Sequence, residues 1–239
     1  MRTVSSRQNP LVKRIREAIR EHADEIVIEG PKAVADAIAS GWKPIVVIER
    51  GVQMTAELFD ALSETRTTQG TLGLFERPRA SAAGILAKRD TIAVALDAVQ
   101  DPGNVGTIVR LAAAFDAAGV LLLPGTADAY GPKAIRSSAG AILNVPVAKI
   151  SLDELLDAGV RLYSTAISGA VGDPPSRNAV LVFGNEGAGV STELIEQSTT
   201  IAIGMSGRVE SLNVASSAAI LLARSYALRL GVPSGATGS

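Results

Sequence analysis

The sequence predicts an α/β protein, in which a largely parallel sheet with helices follows a smaller α/β unit. Short apolar runs alternate with stretches of helical spacing along most of its 239 residues, the pattern of strand–helix–strand units. Three of those runs, Thr91 to Leu96, Val120 to Leu123 and Ala179 to Phe183, are almost wholly apolar, as parallel strands covered on both faces are. Two glycine-rich turns, Gly184 to Gly189 and Gly204 to Asn213, each follow an apolar run and lead into a helix. Open α/β sheets hold their ligands at that edge.

Taken in order, Asn9-Pro10 reads as an N-cap with proline at the first helical position, opening a helix to about Glu21. Glu25 to Glu29 is a strand, Pro31 to Ser40 a helix stopped by Gly41, and Pro44 to Glu49 a second strand. Thr55 caps a helix to about Leu62, and Thr71 to Phe75 is a third strand. Glu76 to Gly84, polar and proline-bearing, reads as a linker. Beyond it come the strand Thr91 to Leu96, a loop from Asp97 to Gly106, and a helix from Thr107 to Ala118 stopped by Gly119. A strand from Val120 to Leu123, a short helix from Pro132 to Gly140 and a strand near Val145 follow. Ser151 and Glu154 form a capping box for a helix ended by Gly159. Val160 to Ala166 is a strand and Ser168 to Asn178 a loop. After the strand ending at Phe183 come a helix from near Ser191, the run Ile201 to Ile203, and an alanine-rich helix reaching Leu230. The expected division is a first domain at 1–76, a linker at 77–89, a second domain at 90–230 and a flexible small-residue tail at 231–239.

Composition narrows the functional classes. Hydrophobic content of 47% with 20% charged residues describes a globular chain, and 3% aromatic content leaves aliphatic side chains to build its core. With no cysteine there are no disulfides or thiolate metal sites, which suits a cytoplasmic location. No apolar run approaches the roughly 20 residues needed to span a bilayer, and no signal-peptide core is visible. His22 is the only histidine, so neither a metal centre nor a triad is expected, and it reads as a helix-end residue. Trp42 reads as packing. The net charge of -1 argues against indiscriminate nucleic-acid binding, yet the first 20 residues hold six basic side chains against the single acid Glu17. Phosphate contacts come from local patches, so Arg7, Lys13 and Arg14 are candidates for RNA contact. The same residues also suit a solvated helix face.

The polar turns carry the chemistry. Gly103-Asn-Val-Gly106 follows a strand but has the wrong spacing for a dinucleotide fingerprint, which sets aside a nicotinamide oxidoreductase. Asn104 is expected in the loop and Arg110 in the first helical turn, where a cation is opposed by the helix dipole and a purely structural role is disfavoured. Glu186 lies between glycines beyond a buried strand, and a helix-start anion is its structural alternative. Ser211 and Asn213 flank Leu212 ahead of a helix, and either is an ordinary N-cap. Each signal is weak alone. Together, the three loops should open on one edge of one sheet, with backbone amides free to bind a cofactor.

Asp101-Pro-Gly-Asn-Val-Gly106 with Arg110, Phe183-Gly-Asn-Glu-Gly-Ala-Gly189, and Ser211-Leu-Asn-Val214 ahead of an alanine-rich helix closely resemble the three signature motifs of the SpoU (TrmH-like) ribose methyltransferases of the SPOUT superfamily. Lys133-Ala-Ile-Arg136-Ser-Ser-Ala-Gly140 extends the likeness, and the opening Val4 to Lys13 with Glu29-Gly-Pro31 resembles the substrate domain of the rRNA-modifying branch. The resemblance implies a parallel-sheet domain with a deep trefoil knot, usually homodimeric, which binds S-adenosylmethionine and methylates a ribose 2′-oxygen of RNA. Nothing in periodicity indicates the threading, which breaks the usual rule for chain connections. Carried onto this chain, Gly184, Ile203 and Leu212 would contact the cofactor, with Thr165, Asn185, Glu186, Gly187 and Met205 nearby. Asn104, Arg110, Glu186, Ser211 and Asn213 would form the catalytic set, and Arg110, Lys133 and Arg136 would also meet RNA. Gly204 departs from the proline usual there, loosening the turn without removing a functional side chain.

The family proposal makes the arginine a base. A guanidinium keeps its proton in nearly every protein setting, so a clamp on phosphate and developing alkoxide is the better physical role. Ribosomal RNA is the expected substrate, with transfer RNA, or a noncatalytic RNA-binding role in ribosome assembly, as the alternatives.

Overall fold

The structure is a computed structural model, and it describes residues 3–21, 24–63 and 69–232. His22 and the end of the tail, 233–239, lie outside the described residues, as does Arg2. The chain forms two compact units. One comprises residues 1–78 with 130–136, the other residues 79–129 with 137–239.

In the first unit, α1 (Pro10–Glu21) begins at the expected proline, with the Leu11 amide donating to Asn9 Oδ1 at 2.9 Å. There follow β1 (Glu25–Glu29), α2 (Pro31–Ala39), β2 (Pro44–Glu49), α3 (Ala56–Asp60) and β3 (Thr71–Glu76). The strands form one sheet in the order β1-β3-β2, with β3 antiparallel to both neighbours. Val12 and Ile15 of α1 bury their side chains with Ile48, Phe59 and Leu74. Spaced three apart, they form the single apolar stripe that a helix lays on a sheet.

The second unit begins inside the stretch read as a linker. Ser81 accepts a hydrogen bond from the Gly84 amide and caps a short helix, α4 (Ala82–Leu86). Ile85 of that helix is buried in the main core. Next come β4 (Ile92–Leu96), α5 (Pro102–Ala114) and β5 (Val120–Leu122), then α6 (Pro132–Ser137), which belongs to the first unit. There Tyr130 sits beside buried Trp42, ring centroids 6.0 Å apart, with the Arg77 guanidinium 4.7 Å over its ring. The series continues with β6 (Val147–Lys149), α7 (Leu152–Asp157), β7 (Arg161–Val171), β8 (Ala179–Phe183), α8 (Thr192–Glu196), β9 (Thr199–Ala202) and α9 (Val214–Arg229). The capping box at Ser151 and Glu154 is formed as the sequence suggests.

All six strands β6-β5-β4-β8-β7-β9 run parallel. Every residue of β4, β5 and β8 is buried. Ala93, Ala95, Val180 and Val182 face one core with Ile85, Leu155 and Leu194 of the helices. Strand alternation turns Val94, Leu96, Leu181 and Phe183 to the opposite face, and these are equally enclosed. Because the strands are parallel, the turns after β4, β8 and β9 leave from the same edge.

Two boundaries differ from expectation and both bear on the site. Helix α5 starts at Pro102, five residues earlier than expected, because Asp101 caps it by accepting from the Gly103 amide at 2.6 Å. Asn104 is therefore in the first helical turn and Arg110 in mid-helix, so the dipole argument for Arg110 lapses. The helix ends at Ala114, where Phe115 and Asp116, the latter with φ 50°, turn the chain away before Gly119. Strand β7 runs on to Val171, with a register shift between Thr165 and Ala170 along β9.

Helices α5 and α9 pack side by side in the same direction. At their C-terminal ends Arg229 donates to the Asp116 carbonyl at 3.1 Å and to its carboxylate at 2.8 Å, and Phe115 lies 6.2 Å from Tyr226. Arg229→Ala removes both bonds, at a cost of roughly 1–2 kcal/mol. Differential scanning calorimetry should show a melting temperature about 2–8 °C lower; an unchanged value would mean that this end of the helix pair is not held by Arg229.

Candidate active site

Three loops meet at the shared strand edge. After β8 the chain folds back on itself as a small closed turn: Asn185 and Gly189 exchange backbone hydrogen bonds at 2.9 Å in both directions. The Asn185 side chain fills this turn, its Oδ1 accepting from the Gly187 and Ala188 amides and its Nδ2 donating to the Ala98 carbonyl, all at 2.9 Å. A Cβ at Gly184 would overlap the backbone of Gly189 and Val190, so only glycine permits the closure. At the base, Asp97 accepts from the Ser191 amide at 2.7 Å and ties the loop after β4 to the start of α8.

Glu186 projects from this turn towards α5. Its carboxylate accepts from Asn104 Nδ2 at 2.9 Å and from the amides of Gln100 and Asp101, each at 3.3 Å. Partial desolvation pushes its pKa up, but the bonds from Asn104 and from the amides of Glu186, Gln100 and Asp101 outweigh that and hold it below the ordinary carboxylate range. Asn104 Oδ1 in turn accepts from Asn213 Nδ2 at 3.2 Å. Asn213 is the N-cap of α9, its Oδ1 accepting from the Ala215 amide at 2.9 Å and the Ser216 amide at 3.3 Å.

This relay has only one consistent polarity. An ionised carboxylate can only accept, so Asn104 must turn its NH2 to Glu186 and its oxygen to Asn213. Asn213 then presents its own NH2 there and keeps its oxygen for the helix amides. Each asparagine retains one N–H that the relay does not use.

Beside the relay is a cavity of about 450 Å³. Thr165, Gly184, Asn185, Glu186 and Gly187 line one side of it, and Ile203, Met205, Ser211 and Leu212 another. Every residue read as cofactor-binding thus borders one space. The expectation of free amides holds for only part of it. In the turn after β8 the amides of Asn185, Gly187, Ala188 and Gly189 are all engaged internally, and Thr165 Oγ1 donates to the Val182 carbonyl at 3.2 Å. Between Met205 and Leu212, by contrast, no backbone amide donates a hydrogen bond among the described residues. The open donors therefore belong to the loop before α9.

Arg110 does not reach this arrangement within the chain. It is exposed on α5, does not line the cavity, and has no hydrogen-bond or ion-pair partner among the described residues. The remaining basic candidates, Arg7, Lys13, Arg14, Lys133 and Arg136, all belong to the first unit and are exposed. Arg14 is tied to Glu25 by a forked ion pair. Among the described residues no cluster of three or more His, Cys, Asp or Glu side chains could hold a metal, and no helix is long and apolar enough to cross a membrane. Sequence reasoning missed the role of the Gln100 and Asp101 amides, which have no side-chain signature, and of Asp97, whose place at a strand end was its one signal.

A parallel sheet carrying three interlocked polar loops and a small-molecule cavity at its C-terminal edge defines a ligand-binding α/β domain of the doubly covered kind. The chain belongs to the SpoU rRNA Methylase family, whose family model matches residues 91–223. It is 36% identical over 225 residues to the 23S rRNA (guanosine(2553)-2′-O)-methyltransferase RlmP of Bacillus subtilis (strain 168), covering 85% of this chain and 89% of that one. It is 27% identical over 239 residues to the 23S rRNA (uridine(2479)-2′-O)-methyltransferase of Streptomyces viridochromogenes, covering 85% and 83%. Among solved structures, the AdoMet-bound rRNA methyltransferase from Sinorhizobium meliloti superposes with a TM-score of 0.85 at 29% identity, covering 98% of this chain and 99% of that chain. The family read from the three motifs and the parallel-sheet methyltransferase fold are both borne out.

The depressed pKa of Glu186 gives a directional expectation. The carboxylate's contribution to loop order is complete above the ordinary value of about 4.3 and is lost only as pH falls below that, through the depressed folded value. In a carbon-13 NMR titration of the side-chain carboxyls, Glu186 should titrate below an ordinary glutamate, and Asn104→Ala should move its midpoint up. A midpoint no lower than that of an ordinary glutamate in the unaltered protein would contradict the relay.

Proposed function

We propose that this protein transfers a methyl group from S-adenosylmethionine to a ribose 2′-hydroxyl of RNA, with ribosomal RNA as the substrate class. The observation that carries this reading is the Glu186–Asn104–Asn213 relay beside a cavity that suits the donor. A volume of about 450 Å³ is in the range of small-molecule sites. Apolar Ile203, Met205 and Leu212 suit an adenine ring, and the lining contains carboxylates but no Lys, Arg or His. That charge balance fits a sulfonium cation. Bound there, the cofactor supplies a methyl group on positively charged sulfur with a neutral thioether as leaving group.

The residues of the chain have to align a sugar oxygen and accommodate its proton. Alignment is the larger requirement, since a few tenths of an ångström decide whether the reacting atoms are in line. The unused N–H groups of Asn104 and Asn213 and the Ser211 hydroxyl are the donors nearest in the chain to that role. Glu186 is poorly suited as the base. Its oxygens already accept from Asn104 and backbone amides, and its depressed pKa makes it a weak proton acceptor. It acts instead by fixing the polarity of Asn104 and Asn213, and the proton leaves to water. Arg110 is the electrostatic clamp on RNA phosphate and developing alkoxide. Its exposure outside the cavity lining fits a site that a second copy of the chain completes, so a homodimer is part of the reading. The exposed apolar side chains Val209 and Ile220 offer surface for it. A trefoil threading of the C-terminal segment and a cytoplasmic location also belong to this reading.

Ribose is common to every nucleotide, so selectivity must come from RNA shape and unpaired bases. The first unit is the RNA-positioning module in this reading, and it gathers five of the six basic candidates. Lys13→Glu should weaken RNA binding, lower the slope of log K against log salt by about 1, and leave the affinity for S-adenosylmethionine unchanged. Fluorescence anisotropy across a salt series measures the first two. An unaltered slope would take Lys13 out of the interface.

The reading as a whole is tested by incubating the protein with methyl-labelled S-adenosylmethionine and either ribosomal or transfer RNA, then mapping 2′-O-methyl groups by resistance to alkaline cleavage. Label at a ribose of ribosomal RNA is expected. Label in transfer RNA alone would overturn the substrate class, and no label in either would overturn the activity. Asn213→Ser separates chemistry from folding, because serine keeps the helix cap but cannot donate as the asparagine amide does to Asn104. It should melt within a few degrees of the parent and lose roughly 100-fold in kcat.

A further inference from the structure

The charge lining the cavity distinguishes two ligands that are otherwise nearly identical. Its ionisable lining residues are Glu186 and Glu210. Glu186 is committed to Asn104 and the backbone of the loop after β4. Glu210 is exposed, immediately precedes Ser211, and has no hydrogen bond or ion pair among the described residues, not even with Arg208 two positions earlier. It also lies in the one stretch of the lining whose backbone amides make no internal bonds. An acid in the lining of a cavity that holds no Lys, Arg or His, and without a cation to pair with, favours a positively charged occupant.

We propose that Glu210 selects by charge: its carboxylate holds the sulfonium donor in preference to the neutral thioether that remains after methyl transfer. The inference rests on the methyltransferase reading and deepens it. Donor and product share the adenosine and the amino-acid group, so contacts to those parts cancel in the comparison. What differs is the methyl group and one positive charge on sulfur, which disappears when the carbon–sulfur bond breaks and its electron pair returns to sulfur. Glu210 is next in the chain to Ser211 and three residues before Asn213, both of the proposed catalytic set, and the proposal sets its charge beside the reacting end of the donor. A carboxylate near the sulfur and screened by its exposure would give a preference of about fivefold.

Isothermal titration calorimetry on the full chain tests this with S-adenosylmethionine and S-adenosylhomocysteine as the probes, for the parent, Glu210→Gln and Glu210→Asp, at low and high salt. Glu210→Gln should weaken the donor about fivefold and change the product by less than twofold, erasing most of the discrimination. Glu210→Asp should keep part of it, and high salt should shrink the parent's preference towards that of the glutamine variant. Equal weakening of both ligands would overturn the proposal, because it would place Glu210 on the shared ammonium or in loop architecture. Unchanged binding of both would overturn it as well. A parent protein that bound neither ligand would instead overturn the reading of the cavity on which the proposal stands.

Discussion

The ionised carboxylate of Glu186 is the constraint from which the order of the site follows. Asparagine side chains are ambiguous in themselves, since oxygen and nitrogen can exchange places at little cost. Beside a group that can only accept, the ambiguity is removed at Asn104, and through Asn104 at Asn213. The same carboxylate gathers the Gln100 and Asp101 amides, so the entry to α5 is held by the loop after β8 as well as by its own Asp101 cap. One negative charge thus orients two neutral side chains on two helices far apart in sequence. A neutral glutamine could fill the space, but it could not impose the direction.

That arrangement is possible because the sheet is parallel. Three turns that leave the same edge bring the starts of α5 and α9 together, and the packing of those helices fixes their spacing. Their far ends are joined by Arg229 and Asp116, leaving the pair little freedom to slide. The two cavity loops then differ in character. The turn after β8 is closed by its own hydrogen bonds and by a glycine that tolerates no side chain, whereas the stretch from Met205 to Leu212 has its amides open. Gly204, standing where a proline was expected, belongs to the open loop. One cavity is thus bordered both by a loop whose amides are engaged and by a loop whose amides are open.

Much of this could be read from the sequence where local chemistry and long-range packing agree. The strands β1, β2 and β8 and the first helix fall where apolar runs, Asn9-Pro10 and Gly184 place them. Failures occurred where the two diverge. Gly103 and Gly106 made the segment after Asp101 look like loop, while the Asp101 cap and Pro102 were the stronger helix signals. A polar stretch around Pro78 hid α4, whose only apolar commitment is the few residues around Ile85. The site was legible as residue types but not as geometry. Asn104, Glu186 and Asn213 carried polar signals in the right turns, yet each had an ordinary capping role, and Asn213 does cap its helix while joining the relay. Nothing local reveals that Arg110 stands apart from the cavity.

That Arg110 and the other basic candidates are missing from the cavity lining suits the proposed difference between a donor site and an RNA site. A methyl donor is small and always the same, so a fixed edge of one sheet can enclose it. An RNA target is defined over many nucleotides by its shape and charge, and no enclosure of about 450 Å³ can sample that. The basic candidates Arg7, Lys13, Arg14, Lys133 and Arg136 accordingly fall in the first unit, although the last two are encoded in the middle of the second. The Tyr130 ring, set beside Trp42 and under Arg77, is what commits that detour of the chain to the first unit. A segment that leaves the second unit to complete the first makes the chain pass between the two units three times, where a simple linker would cross once.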